Sequence, residues 1–431
     1  MDIYLIGFGK AVFIWGLALT LIPVLIWFER KGAAFIQDRV GPNRAAILGL
    51  RLGGFIHNIA DVVKLLMKEM LVPRHVSAWY FTLAPFLGIT IGLFAFAVIP
   101  WADNLRFGRW DIPMQVTSLN AGVLYILSIT SLNVYGIVLA GWSSNNKYSL
   151  LGGLRSTAQM VSYEIPLGLS IVGIFMVFGT VQLNEIVRGQ GDLLFGFLPR
   201  WGLFVQPLGF VLFLAAAFAE TNRNPFDVPE GESEIVAGYH TEYSGVRFAL
   251  FYMGEYVAIV LSAAMVTTLY FGGWQIPYLP TNSLVLHAST VLKVLLVTGV
   301  IVFSVGVLLC LRYDKRLAGT WPKGDLRNQE GKILATIFAV LVVVHLAGIF
   351  LLWPRELPEW GSATVALIAQ LSAFAIKLLF FCWMFIWVRW TLPRFRYDQI
   401  MRLGWKSLIP LAFANIFVTG LVVLLIDHFM S

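Results

Sequence analysis

The chain has little cysteine and little charge, and both shortages narrow what it can be. Its 431 residues include two cysteines, and only 13% are Asp, Glu, Lys or Arg. Cys310 and Cys382 stand far apart in apolar runs, so this chain cannot ligate an iron–sulfur cluster alone. The ordinary interpretation of both is a small apolar side chain packed between helices.

Histidine is also scarce, which bears on haem. The chain has six histidines, and only His345 lies well inside an apolar run. A haem held between helices needs axial ligands on facing segments, and the sequence offers no such set. An electron-carrying cytochrome is therefore disfavoured.

Hydrophobic residues make up 58% of the chain, mostly in runs of about twenty. Such a run crosses roughly 30 Å of hydrocarbon as a helix, which satisfies its own backbone hydrogen bonds. The first run, Phe8 to Phe28, is too long for a signal peptide and lacks its cleavage site, so we expect it to be retained. The sequence predicts an all-α, polytopic transmembrane bundle of about ten spans. The predicted spans are 8–28, 81–100, 118–140, 157–178, 203–219, 246–271, 285–311, 333–353, 364–388 and 408–427.

Most of the 31 lysines and arginines fall in the connections on one side of the predicted bundle. That excess marks the cytoplasmic side, which predicts that both termini lie on the opposite side of the membrane. Residues 51–70 have apolar side chains at helical spacing and are too charged to span. They predict a cytoplasmic-side amphipathic surface helix, packed against lipid, against protein, or against both on different faces.

An acidic connection, 218–245, is unusual among these basic loops. It contains six carboxylates and one arginine, Arg223. A solvated loop is the plain alternative. Crowded carboxylates repel one another, however, so some must take up protons or pair with bases, and such a group beside a span can pass protons.

Glu164, Glu255 and Lys377 are among the charges that lie inside predicted spans. A charge at the bilayer centre costs about 2.5–3.5 kcal/mol on insertion scales, so each is a functional candidate. Pairing with a base, or a position near the interface, is the alternative for Glu255.

Three stretches together indicate a family. "ERKGAAFIQDRVGPNRAAILG" (29–49), "FAETNRNPFDVPEGESEIVAGYHTEYSG" (218–245) and "WVRWTLPRFRYDQIMRLGWK" (387–406) resemble, in the same order, the H subunits of bacterial NADH:quinone oxidoreductase, respiratory complex I. The resemblance implies a component that forms the quinone entry tunnel and part of the reduction cavity, and that couples quinone reduction to proton translocation. It is not catalytic alone.

The resemblance also implies a location, partners and cofactors. The membrane would be the bacterial inner membrane, with both termini periplasmic. Quinone is the substrate and no group is bound covalently, while FMN and the iron–sulfur clusters belong to partner subunits. The implied partners are peripheral-arm iron–sulfur and quinone-site subunits, small membrane subunits leading to antiporter-like subunits, and the lipid bilayer. Nucleic acid is not among them.

Site residues follow from matching the family's motifs. The quinone cavity and its approach would contain Glu29, Arg30, Arg39, Asp61 and Glu69. The proton-coupling carboxylates would be Glu164, Glu220, Asp227, Glu230, Glu232, Glu234 and Glu242. We infer possible counter-charges at Arg223, Arg247 and Lys377.

The chain departs from the family's usual eight spans between residues 281 and 363. We therefore divide it into a family core (1–280), an inserted two-helix hairpin with a basic cytoplasmic loop (281–363), and the last two family spans (364–431). We expect the hairpin to be peripheral and to contact lipid or an accessory subunit. Two other functions stay open: the equivalent component of a membrane-bound hydrogenase or ferredoxin-linked complex, and a stand-alone transporter.

Overall fold

The structure, a computed structural model, describes residues 2–108, 110–227, 238–317, 326–352 and 357–430. These residues are mostly helical. The helices are α1 Asp2–Ile36, α2 Ile56–Met67, α3 Ala78–Ala95, α4 Gly122–Ser131, α5 Asn133–Ser143, α6 Lys147–Phe178, α7 Leu183–Gly189, α8 Gly202–Val205, α9 Pro207–Glu220, α10 Gly245–Tyr270, α11 Thr281–Leu286, α12 Ala288–Leu317, α13 Glu330–Leu352, α14 Glu359–Thr391, α15 Tyr397–Arg402 and α16 Ile409–Met430. Two small antiparallel hairpins pair β1 Leu105–Phe107 with β2 Trp110–Ile112, and β3 Leu193–Leu194 with β4 Leu198–Pro199.

The predicted polytopic bundle is confirmed. Within the described ranges, nine helical segments are long and apolar enough to cross a membrane. They match nine of the ten predicted spans, with α4 and α5 forming one segment, Gly122–Ser143, and α15 and α16 another, Tyr397–Phe429.

The predicted span 203–219 is different, because it is divided. Helix α8 ends at Val205, and α9 begins again at Pro207, which occupies the first helical position. Proline lacks the N–H that would continue the preceding helix, but its fixed φ suits a new helix start. The 14 residues of α9 give about 21 Å of helix, less than a full hydrocarbon thickness.

The core of the bundle is built around α10. This helix packs against α1, α2, α3 and α14, and α6 packs against α5, α9 and α16. Buried aromatic side chains such as Tyr256, Phe213 and Phe385 fill the space between these helices. The hairpin of α12 and α13 packs mainly on itself and on α14, and few of its side chains are buried, as expected for a surface that faces lipid.

Helix α2 confirms the predicted amphipathic surface helix. Ile56 and Asn58 are buried against the bundle, and the Asn58 side chain donates to the carbonyl of Pro23 at 2.6 Å. Leu66 and Met67 are exposed on another face. The helix therefore contacts protein on one face and leaves an apolar face for the membrane interface.

Candidate functional site

Glu29 stands near the end of α1, where four segments of the chain meet. Its Oε2 accepts hydrogen bonds from Arg223 Nη1 at 2.9 Å and from the Tyr256 hydroxyl at 2.7 Å. Its Oε1 accepts a hydrogen bond from Arg389. A buried carboxylate needs such donors to offset the loss of water. We call Glu29, Arg223, Glu255, Tyr256 and Arg389 the Glu29 cluster.

Arg223 is the centre of this cluster and lies between two carboxylates. Its Nη1 contacts Glu29, its Nη2 lies 3.6 Å from Oε2 of Glu255, and its guanidinium carbon lies 4.5 Å above the Tyr256 ring. Burial alone would lower the pKa of Arg223, but Glu29, Tyr256 and Glu255 outweigh it and hold the pKa well above the ordinary value. The arginine therefore stays charged, although only 3% of it is exposed.

Helix α6 fixes the loop that carries Arg223. The Nε2 atom of the fully buried Gln159 lies 2.9–3.1 Å from three oxygens of this loop and the end of α9: the carbonyls of Ala219 and Phe226, and Oδ1 of Asn222. The Asn222 amide donates in turn to the Ser156 hydroxyl at 3.0 Å. The connection after α9 is thus bound to α6 along its first turns, which sets the position of Arg223.

An open cavity lies against the Glu29 cluster. Its polar wall includes Glu29, Arg30 and Arg39, which are three of the five residues predicted for a quinone cavity. Ile36 and Trp390 supply apolar surface. The cavity thus has both an apolar wall and a set of charged groups.

The other two predicted cavity residues lie along α2. Asp61 forms an ion pair with Arg30, and both side chains are partly exposed, so Asp61 stands at the rim. Glu69 follows the end of α2, and its backbone carbonyl accepts a hydrogen bond from Ser244 Oγ at 3.3 Å, just before α10 begins. Glu69 is not among the described residues that line this cavity.

Further carboxylates line the interior between α3, α5, α6, α9 and α10. Glu220 and Glu255 share the wall of a narrow internal space with Asn133 and Thr221. Glu220 also lines a neighbouring narrow space that includes Thr130. The adjacent residue, Ser131, donates a hydrogen bond to Glu164 of α6. The predicted carboxylates Glu164 and Glu220 thus lie near the adjacent residues Ser131 and Thr130, respectively.

The structure adds Glu255 to this group. The resemblance did not supply it, although its charge inside a predicted span was a visible signal. It precedes Tyr256 in α10, and its Oε2 lies 3.6 Å from Arg223. Glu255 therefore belongs to the Glu29 cluster and also lines the internal space that Glu220 lines.

The remaining predicted carboxylates have separate surroundings. Asp227 is buried and accepts a hydrogen bond from Arg394 at 3.1 Å. Glu242 accepts one from Asn146 at 2.7 Å, at the start of α6. Glu230, Glu232 and Glu234 lie outside the described residues. Arg389 and Arg394 were missed as counter-charges, although both stand in the basic stretch 387–406.

The three predicted counter-charges have different neighbours. Arg223 contacts two carboxylates, as described. The Arg247 guanidinium lies 5.5 Å from the ring centre of Phe81. Lys377 donates to the carbonyls of Phe271, Gly273 and Gln275 at 2.7–2.9 Å, in the turn after α10.

No group of three or more His, Cys, Asp or Glu side chains in the described ranges is arranged to hold a metal ion. The arrangement instead offers proton-binding groups and fixed charges beside a cavity. Acid–base and electrostatic chemistry on a bound molecule is what such groups supply.

Comparison with known proteins places these observations in a family. The model of the NADH dehydrogenase family matches residues 9–323 and 329–420, which include most of the hairpin segment. The H subunit of NADH-quinone oxidoreductase from Bdellovibrio bacteriovorus is 38% identical over 434 residues, covering 96% of this chain and 95% of that protein. An H subunit from Solibacter usitatus is 41% identical over 418 residues (97% and 96%), and the one from Thermomicrobium roseum is 38% identical over 422 residues (97% and 95%). The chain therefore belongs to the family of NADH-quinone oxidoreductase H subunits.

Proposed function

We propose that the chain is the membrane component of a proton-pumping NADH:quinone oxidoreductase that forms the quinone entry tunnel and part of the reduction cavity. Relatives that match nearly the whole chain carry that enzyme's name. The chain works only within the complex, where partner subunits bind FMN and the iron–sulfur clusters and quinone is the substrate. The expected partners are the peripheral-arm quinone-site subunits and the small membrane subunits that lead to antiporter-like subunits.

The observation that carries the proposal is the cavity beside the Glu29 cluster. Quinone has an apolar tail and a polar headgroup, so its site needs an apolar approach and a few placed polar groups. Ile36 and Trp390 supply apolar wall, while Glu29, Arg30 and Arg39 supply polar groups. The exposed apolar face of α2, beside the Arg30–Asp61 pair at the rim, suits entry of the tail from the bilayer.

Coupling to proton movement would run through Arg223. When the reaction at the cavity changes the charge at Glu29, Arg223 shifts its interaction toward Glu255, which lies beside Glu220 and then Glu164. Unit charges about 4 Å apart interact by about 4 kcal/mol at the effective dielectric typical of partly buried sites. Moving one charge across 100 mV requires about 2.3 kcal/mol, so an interaction of this size is sufficient for one step.

The orientation is part of the proposal. The basic connections would face the cytoplasm of a bacterial cell, with the acidic loop 218–245 on that side and both termini in the periplasm. The excess of Lys and Arg in those connections supports this orientation.

Substitutions at Glu29 and Arg39 test the cavity. In the assembled complex in native membranes, we expect Glu29→Gln and Arg39→Leu to lower kcat/KM for quinone by about tenfold or more, because both remove charged wall groups. Electron transfer from NADH to a water-soluble acceptor should remain normal. The matched control is Glu185→Gln, which changes an exposed carboxylate elsewhere. Unchanged quinone kinetics in both cavity variants would remove the cavity from the quinone path.

A photoreactive quinone analogue gives an independent measurement. We expect it to label residues between 29 and 42, and excess quinone should compete with the labelling. Quinone reduction by the isolated chain would instead contradict the view that the chain is one component of a larger enzyme.

A further inference from the structure

A buried ion pair joins the α12–α13 hairpin to the loop that follows α1. Arg51 Nε lies 2.9 Å from Glu330 Oε2, and neither side chain is exposed. The other carboxylate oxygen, Oε1, accepts a hydrogen bond from the backbone N–H of Gly53 at 2.8 Å. Glu330 is the first residue of α13 and stands 279 residues from Arg51. It is thus a long-range contact that uses both oxygens of one carboxylate.

Such a pair has consequences beyond holding two segments together. Removing one partner of a buried ion pair leaves a charge that water no longer solvates, which is strongly unfavourable. A surface hairpin does not need a fully buried charge to pack against its neighbours. The question is therefore what the carboxylate holds in place.

Arg51 organises residues 37–55, which we call the approach loop. Its Nη1 donates to Asn43 Oδ1 at 2.8 Å. The next two backbone N–H groups, of Arg44 and Ala45, donate to His57 Nε2 at 2.8 and 3.0 Å. The middle of the loop is therefore held by Arg51, near the loop's end, and by His57 of α2.

The approach loop is also closely packed. Gly54 has a φ of +96°, and a Cβ there would lie 2.1 Å from the carbonyl oxygen of Pro42, so only glycine fits. Lys31 Nζ donates to the carbonyl of Val40 at 3.0 Å, and Trp27 Nε1 donates to the carbonyl of Gly53 at 3.1 Å. The loop thus has one compact arrangement, with Glu330 as its contact from the hairpin.

The same loop forms part of the cavity wall. Arg39 and Pro42 line the cavity beside the Glu29 cluster, and Pro42 adjoins Asn43, the residue held by Arg51. A short path therefore leads from Glu330, through Arg51 and Asn43, to the wall of the cavity.

We propose that Glu330 is a positioning residue for quinone entry: the hairpin holds the approach loop so that Arg39 and Pro42 form the cavity wall. The inference rests on the proposed function, because it assumes that quinone uses this cavity. It gives the hairpin a role in the reaction beyond contact with lipid or an accessory subunit.

The experiment compares Glu330→Gln with Lys332→Gln in the assembled complex in native membranes. Lys332 is exposed and stands two residues away on the same helix, so it controls for a neutralised charge at this place. With Glu330→Gln, we expect hydrogen exchange of the amides in 40–55 to speed up by at least about tenfold. The KM for quinone should rise by about three- to tenfold, while kcat at saturating quinone stays within about twofold. The control should change neither quantity.

A second variant covers failure of the complex to assemble. Glu330→Asp keeps the charge but shortens the side chain, so one carboxylate cannot reach both Arg51 and Gly53. We expect normal assembly and a change of KM in the same direction. Normal exchange and normal KM in assembled Glu330 variants would overturn the proposal. Failure of both variants to assemble would also overturn it, since the role would then be structural alone.

Arg39→Leu separates this inference from the proposed function. If Arg39→Leu raises the KM for quinone and the Glu330 variants do not, the cavity assignment stands and the role of Glu330 falls. If none of these substitutions changes quinone kinetics, the cavity assignment itself fails.

Discussion

At the scale of single residues, Arg223 lies between a carboxylate at the cavity and one inside the bundle. One guanidinium contacts Glu29 at 2.9 Å and lies 3.6 Å from Glu255, so it joins a carboxylate at the cavity to one inside the bundle. The planar guanidinium of arginine has several N–H donors and can contact two carboxylates at once, whereas the ammonium group of lysine is a single point charge. The geometry therefore depends on arginine and not on positive charge alone.

Arg223→Lys tests that dependence. The charge remains, but one ammonium group cannot hold both carboxylates, so we expect quinone-dependent turnover to fall by about tenfold. The measurement is NADH:quinone reductase activity in membranes, normalised to the amount of assembled complex. Arg188→Lys is the matched control, because Arg188 pairs with Asp103 in a partly exposed bridge. Equal activity in the two variants would contradict a bridging role for Arg223.

Sequence alone indicated several of these residues but not their partners. Glu29, Arg223 and Arg389 all stand in the three stretches that carry the family resemblance, and Glu255 was visible as a charge in a predicted span. Their pairing was not predictable, because Glu29 and Arg389 are separated by 360 residues and meet only when α1 packs against α14. The Arg51–Glu330 pair escaped prediction for the same reason.

At the scale of elements, Lys377 shows how a charged side chain inside a span can hold the backbone turn at the end of another helix. Its ammonium group donates to three backbone carbonyls in the turn that follows α10. Carbonyls at the end of a helix have no partner within the helix, and a cation near them is favourable. This position favours a structural contribution to the end of α10.

Lys377→Met distinguishes that contribution from a counter-charge in proton coupling. Each hydrogen bond from a charged donor contributes up to about 1.5–3 kcal/mol, and the methionine side chain makes none of them. We therefore expect a lower thermal midpoint for the complex. The KM for quinone and the protons moved per electron should stay near their normal values. Lys332→Met, at an exposed position, is the control. Loss of proton movement at normal stability would instead favour the counter-charge.

Hydropathy predicted most elements because an apolar run of sufficient length has few alternatives in a bilayer. It did not predict the break between α8 and α9. Pro207 was visible, but proline is common in membrane helices, so its presence alone does not show whether a helix bends or stops. Here the helix restarts at the proline, and Gln206 before it is held by Asn415 and Thr419 of α16.

At the scale of the whole molecule, the carboxylates extend from the cavity into the bundle around α10. Glu29 stands at the cavity, Glu255 and Glu220 share an interior space, and Glu164 lies beside Ser131 next to it. The proposed coupling requires that a change of protonation at one end alter the electrostatic energy at the next group.

Glu164→Gln, within this series, and Asp227→Asn, at a predicted coupling carboxylate that pairs with Arg394 outside it, test whether these groups carry the coupling. We expect both variants to assemble and to lower coupled turnover, because each removes a group that can change its charge. The measurement is proton translocation per NADH oxidised in sealed membrane vesicles. Glu185→Gln, outside the series, should behave as the unsubstituted complex does. Full proton translocation in both variants would remove these carboxylates from the mechanism.

The contact between Arg51 and Glu330 also imposes an order on biosynthesis. The ribosome makes Arg51 279 residues before its acidic partner, an interval on the order of tens of seconds at typical translation rates. During that interval most of the spans enter the bilayer while residues 37–55 still lack the carboxylate that fixes them. The approach loop next to α1 therefore reaches its final arrangement late, only after the hairpin that carries Glu330 has been made.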